Sequence, residues 1–230
     1  MKTLEVLEEY MKILKRFISL ALVAAMAMSI FAGCGKEVTA DSYVLALYNL
    51  IINGSDAKAK EIGVGNASIK TFQLKREEAV SDGTAKINES FQQQCGVSVD
   101  ETLLKDYYAA YFQALSKLTA KASVIEKNDS VTKVEISSTC LDMTALTTKA
   151  MEAAQSKVKA SDYDNDVDYK KVVLTEYIKA LTSVMQNFSP NGESQTTTVT
   201  CKKANNSWEC VDDTSFAEAL TALAVKSQVS

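Results

Sequence analysis

The sequence predicts an α+β fold, an antiparallel sheet packed against helices, and three observations carry that prediction. Two β-rich pairs, at residues 122–127 with 131–140 and 197–201 with 207–211, are each split by a short Asn-bearing turn, at Asn128-Asp129 and Asn205-Asn206. Stretches with apolar residues at helical spacing precede and follow both pairs. Helix-start signatures mark the joins at Asp100, Asp142 and Ser215. The order is therefore helices, hairpin, helices, hairpin, helix, which suits an antiparallel sheet rather than a βαβ plan.

Taken in order, Val44, Leu47, Tyr48 and Ile51 predict a helix over about 40–52 that Asn53-Gly54 stops. Ser55-Asp56 is the expected cap of a short helix at 57–62. A loosely amphipathic stretch over 71–94 is weakened by Ser81-Asp82-Gly83, and its Lys75-Arg76 and Glu77-Glu78 read as a solvated face. Asp100 reads as an N-cap with Val99 and Leu104 at staple spacing, opening a helix through Tyr108, Tyr111, Leu115 and Leu118. Asp142 caps the helix after the first hairpin, with Leu141 and Leu146 as its staple. A long helix is expected over 168–188 through Val173, Tyr177, Leu181 and Val184. Ser215-x-x-Glu218 forms a capping box for a last helix that turns Phe216, Leu220, Leu223 and Ala224 inward. The 107–155 and 177–224 stretches share a helix–hairpin–helix plan.

The N-terminus has a different character. Lys12, Lys15 and Arg16 form a basic stretch, Phe17 to Gly33 carries no charge, and the small pair Ala32-Gly33 stands before Cys34. This arrangement resembles the lipobox signal peptides of bacterial lipoproteins, with Phe31 where Leu is usual. The resemblance implies that residues 1–33 are a signal peptide and that Cys34 becomes the acylated first residue of the mature chain. Residues 34–40 then form a tether, and residues 41–230 a single extracytoplasmic domain anchored by palmitate-type chains to the cell membrane. Glu5, Glu8 and Glu9 are foreign to a signal n-region, whereas Met11 opens a typical one, so translation is expected to begin at Met11.

Removing residues 1–33 leaves 197 residues, enough for one well-cored domain. It takes away four basic and three acidic residues and leaves 21 against 26, a net charge of about −5. No basic block is present, so nucleic acid is not an expected partner. With Cys34 assigned to lipid, four cysteines remain, Cys95, Cys140, Cys201 and Cys210. A two-residue turn at Asn205-Asn206 places Cys201 opposite Cys210 in a non-hydrogen-bonded pair, where Cα atoms lie about 4.5 Å apart and a disulfide fits. Cys201–Cys210 is the expected bridge, and Cys95–Cys140 follows by elimination, in keeping with an exported protein.

Leu47-Tyr48-x-x-Ile51-Ile52-Asn53-Gly54-Ser55-Asp56-x-Lys58 resembles the opening of cystatin-like domains related to nuclear transport factor 2, in which a first helix ends at Gly and a second begins at once. Asn206-Ser207-Trp208-Glu209-Cys210 is similar to their late strand, whose Trp anchors the sheet. The chain over 40–226 is similar in layout to small lipoproteins of unknown function from Gram-positive bacteria. The resemblance implies a curved antiparallel sheet wrapped around helices, and no particular chemistry.

The absence of His removes the Ser–His–Asp and Cys–His arrangements and the commonest zinc ligand. Gly63-x-Gly65 lacks the remainder of a phosphate loop. Asp162, Asp164, Asp166 and Asp168 begin like a calcium loop, but Val167 and Val173 stand where Gly and Glu are required, so the run reads as an acidic helix start. Tyr107, Tyr108, Tyr111 and Phe112 read as core rather than pocket lining, and Trp208 as a core residue of the sheet face. No catalytic residue, metal or cofactor is expected. The expected function is a non-enzymatic binding or interaction module whose partner is an envelope protein or a small ligand. The alternatives are a small hydrolase or isomerase built on Asp and Tyr in the sheet's cone, or a carrier of hydrophobic ligands.

Overall fold

The structure, a computed structural model, describes Tyr10 and residues 38–128, 131–204, 207–211 and 213–226. Cys34, the remainder of the leader and the first tether residues lie outside the described residues, as do Asp129 and the Asn205-Asn206 turn.

Helix α1 (Ala40–Tyr48) passes into one π turn (Asn49–Asn53) and stops at Gly54, whose φ of 69° is open to glycine at little cost. The Asn53 side chain caps more than its own turn, because its amide donates to the carbonyls of Leu115 and Leu118, both at 2.9 Å. Helix α2 (Ala57–Glu61) follows, but Asp56 does not cap it. Its backbone is already helical (φ −91°, ψ −3°), whereas a capping side chain needs an extended N-cap, and its carboxylate pairs instead with Lys60 at 2.7 Å.

Helix α3 (Asn66–Cys95) runs unbroken for 30 residues, against the expected weakness at Ser81-Asp82-Gly83. Gly83 and Thr84 are buried, and the Thr84 hydroxyl donates to the Val80 carbonyl at 2.9 Å. Tertiary burial thus outweighs the roughly 1 kcal/mol that glycine costs within a helix. Gly96, at φ 71°, ends it. Asp100 then caps helix α4 (Glu101–Ser116) as expected, accepting from the amides of Thr102 at 2.8 Å and Leu103 at 3.4 Å. Hydrogen bonds from Thr102, then from Leu103, hold its carboxyl below the usual carboxylate range.

Strands β1 (Ala120–Lys127) and β2 (Thr132–Thr139) form the first hairpin, and a short β3 (Leu141–Asp142) leads into helix α5 (Met143–Gln155). Asp142 caps α5 through the Ala145 amide at 2.9 Å. Helix α6 (Asp166–Gln186) is capped by Asn165, which accepts from the Asp168 amide at 2.8 Å, while Asp166 and Asp168 occupy the first turn. Strands β4 (Ser194–Ala204) and β5 (Ser207–Cys210) make the second hairpin, followed by helix α7 (Asp213–Ala224) and β6 (Val225–Lys226). Because α7 begins at Asp213, Ser215 lies inside the helix and is not its N-cap, contrary to expectation.

The main sheet is antiparallel in the order β1-β2-β4-β5, and β3 pairs with β6 in parallel. Strand β2 alternates, sending Thr132, Val134, Ile136 and Ser138 inward. Helix α1 crosses β1 and β2, and α7 covers β4 and β2. Tyr48 joins these layers through a hydrogen bond between its hydroxyl and that of Ser138. Behind them α4 packs on α6, α5 on α6 and α3 on α4. Tyr10 also sits in the core, its ring edge-on to Phe91 with centroids 5.5 Å apart and its hydroxyl donating to the Lys170 carbonyl at 3.1 Å.

Asn53→Ala is expected to lower stability by about 1–3 kcal/mol, because it strips two part-buried carbonyls of their donor. A urea midpoint that falls with an unchanged m value checks this.

Candidate functional site

Helix α4 turns Tyr107, Tyr108 and Tyr111 into the core, where they meet Tyr177 of α6. Tyr107 and Tyr111 stack with centroids 6.5 Å apart, and Tyr108 stacks on the half-buried Phe112 at 6.5 Å. The hydroxyls of Tyr107, Tyr108, Tyr111 and Tyr177 are buried without a hydrogen-bond partner among the described residues. Each unpaired hydroxyl costs about 1–3 kcal/mol, whereas burying an aromatic side chain returns about 4–6 kcal/mol gross, so packing wins. Burial pushes Tyr108 up to about 12, as it does Tyr48, and drives Tyr107, Tyr111 and Tyr177 upward as well. The four tyrosines are core residues, as the helical spacing predicts, whereas Phe112 is half-buried and lines a groove, which corrects its reading as core.

A second feature lies at the edge of that seam. Arg76 of α3 was read as part of a solvated face, and the structure corrects this: the residue is half-buried, its guanidinium 4.0 Å from the centroid of the Phe112 ring. It also lies against Gly54, where a Cβ would collide with it. Burial lowers the Arg76 pKa, and Tyr111 nearby opposes that shift. Among the described residues Arg76 makes no ion pair, and none of its N–H groups makes a hydrogen bond. Arg76, Glu77, Val80, Ser81, Lys105 and Phe112 line a groove of about 370 Å³ between α3 and α4. One signal in the sequence could have found this residue, since Arg76 is the only arginine after Cys34.

A third feature is the end of the sheet nearest the tether. The Trp208 indole N–H donates to the Val38 carbonyl at 2.7 Å, four residues after Cys34. Val38, Val124, Lys127, Lys203 and the half-buried Trp208 border a cleft of about 360 Å³ there. Val124 and Ile125 are 43% and 52% exposed beside it, at a register shift in β1. Cys201 and Cys210 face each other across β4 and β5 in the predicted register. No disulfide joins any of the four described cysteines, so neither expected bridge is formed in the structure. A hydrogen bond from Cys210 pulls the Cys201 thiol down. Cys95 closes α3, and Cys140 lies at the β2–β3 junction facing the Glu193 carbonyl at 4.0 Å, its thiol pushed up by burial.

The acidic run serves the start of α6. Asp166 pairs with Lys170 at 3.0 Å and Asp168 accepts from the Asn165 amide at 2.6 Å. Among the described residues no three His, Cys, Asp or Glu side chains gather to hold a metal, and no helix is long and apolar enough to cross a membrane.

No family model matches the chain, and no curated protein matches it. Its fold is similar to the crystal structure of a Bacillus subtilis protein described as a putative lipoprotein, ycdA. The TM-score is 0.56 at 16% identity, over 81% of this chain and 56% of that one. The chain thus spans about half the length of that neighbour. At this identity the likeness shows the fold alone.

Tyr48, Tyr107, Tyr108, Tyr111 and Tyr177 are expected to stay un-ionised in the folded protein at pH 11. Their folded values lie above the ordinary phenol value of about 10, so the unfolded chain ionises first. Stability is therefore full below pH 10 and is lost as the pH rises towards 12. Ultraviolet titration of tyrosinate, folded and in urea, checks both statements.

Proposed function

We propose that the protein is a lipid-anchored, extracytoplasmic, non-enzymatic binding module, held on the cell membrane through acylated Cys34. The observation that carries this reading is the bond from Trp208 to Val38. Four residues span at most about 14 Å when extended, so an acyl-bearing Cys34 keeps the tether end of the sheet against the bilayer. Val124 and Ile125 then face the headgroup region with Lys127 and Lys203. Two or more acyl chains give stable attachment without help from the acidic domain. The fold shared with a protein described as a putative lipoprotein supports the lipoprotein part of this reading and does not bear on anchoring or binding. Tyr48, Val134, Ile136 and Val199 fill the inner face of the sheet, which favours a binding module over a cone enzyme or a hydrophobic-ligand carrier. In an oxidising compartment Cys201 and Cys210 join as a disulfide.

Cys34→Ala is expected to abolish palmitate labelling and to retain the unprocessed leader, and intact mass with labelling in the native envelope reads both. Removal of residues 1–33 also takes Tyr10 from its seat against Phe91. Tyr10→Ala is therefore expected to leave the unfolding midpoint of the purified mature protein unchanged. A loss of about 3–5 kcal/mol, the usual cost of truncating a core aromatic, would show that the leader is retained and sink the anchor reading.

A non-reduced peptide map of envelope-purified protein is expected to show Cys201 joined to Cys210. Its reduction should cost about 3 kcal/mol, as expected for a ten-residue loop. The same map reads Cys95 and Cys140, whose pairing follows by elimination.

A further inference from the structure

We propose that the groove between α3 and α4 binds the carboxylate of a small amphiphile, with the Arg76 guanidinium taking the carboxylate and Val80 and Phe112 taking its apolar chain. The inference rests on the binding-module reading and names its ligand class.

Of the 21 basic residues after Cys34, 20 are lysines and one is Arg76. Surface lysines here find carboxylates: Lys58, Lys60, Lys105, Lys133, Lys157, Lys170, Lys179 and Lys226 are all in ion pairs. Arg76, which is half-buried at the groove, has none. A half-buried guanidinium loses part of its hydration, and its fork of five N–H donors is left with no protein acceptor among the described residues. The contact with Phe112 holds the head by its charge and occupies no N–H. Glu77 borders the groove but does not come within ion-pair distance of Arg76, and Lys105 is held by Glu101 at 2.7 Å. A carboxylate matches the arginine fork in a bidentate pair. The rest of the lining is mainly apolar, and about 370 Å³ lies at the small end of the range for ligand sites.

Because Arg16 leaves with the leader, the processed chain gives a single arginine Nε–H resonance, that of Arg76. Sodium octanoate is titrated into the processed, acylated protein in nanodiscs while this resonance is followed, with octyltrimethylammonium and methyl octanoate as controls. A saturable shift with octanoate alone is expected. Arg76→Lys should weaken octanoate binding at least tenfold, read from the probe's own carboxylate signal. Ser81→Trp, which fills the exposed side of the groove and spares the Arg76 contacts, should remove the shift. A resonance that does not move, a shift that never saturates, or an undiminished shift in Ser81→Trp would overturn the proposal. Failure of the underlying reading shows separately: a second arginine resonance reports a retained leader, and conversion of methyl octanoate to octanoate reports an enzyme.

Discussion

The arrangement of the helices depends on the corner at Asn53-Gly54. A positive φ at Gly54 stops the first helical segment, and the absence of a Cβ leaves room for the Arg76 head from α3. One residue earlier, the Asn53 amide closes the end of α4 by binding the Leu115 and Leu118 carbonyls. Two residues therefore tie α1, α3 and α4 together just before β1 begins. The direction of α4 sets where its tyrosines point, and the end of α4 sets where the sheet starts. Lys117 extends the same logic by donating to the Gln186 and Phe188 carbonyls, which joins the ends of α4 and α6.

What was legible in the sequence is what local chemistry decides. Asp100 and Asp142 cap their helices because a carboxylate two or three residues ahead of free amides has few better options. The register of the second hairpin followed from its turn alone, down to Cys201 opposite Cys210. Resemblance to cystatin-like domains rightly anticipated a helix stopped at Gly54 and a late strand bearing Trp208. Asp56 failed as a cap because its own backbone joined the helix, and Ser215 failed because α7 started two residues earlier.

The larger misreadings share one cause, which is that neighbours distant in sequence overrule local preference. Gly83 looked like a break, yet it is buried within an unbroken helix. Arg76 sits in a run of charges and looked solvated, yet its fate is set by Phe112, 36 positions on, and by Gly54, 22 positions back. Asn53 looked like a simple stop signal, and its two long-range bonds left no trace in spacing. The candidate groove was therefore invisible to periodicity, although the solitary arginine marked it by composition.

The two free edges of the sheet are also shaped. Strand β1 carries a register shift at Ile125, which twists the outer row of amides and carbonyls out of line. Strand β5, at the other edge, is four residues long. Among the described residues, the register shift interrupts one edge and shortness limits the other, two features that discourage the addition of another strand. The irregular edge thus works against templated strand addition at the place where Val124 and Ile125 stand in the open.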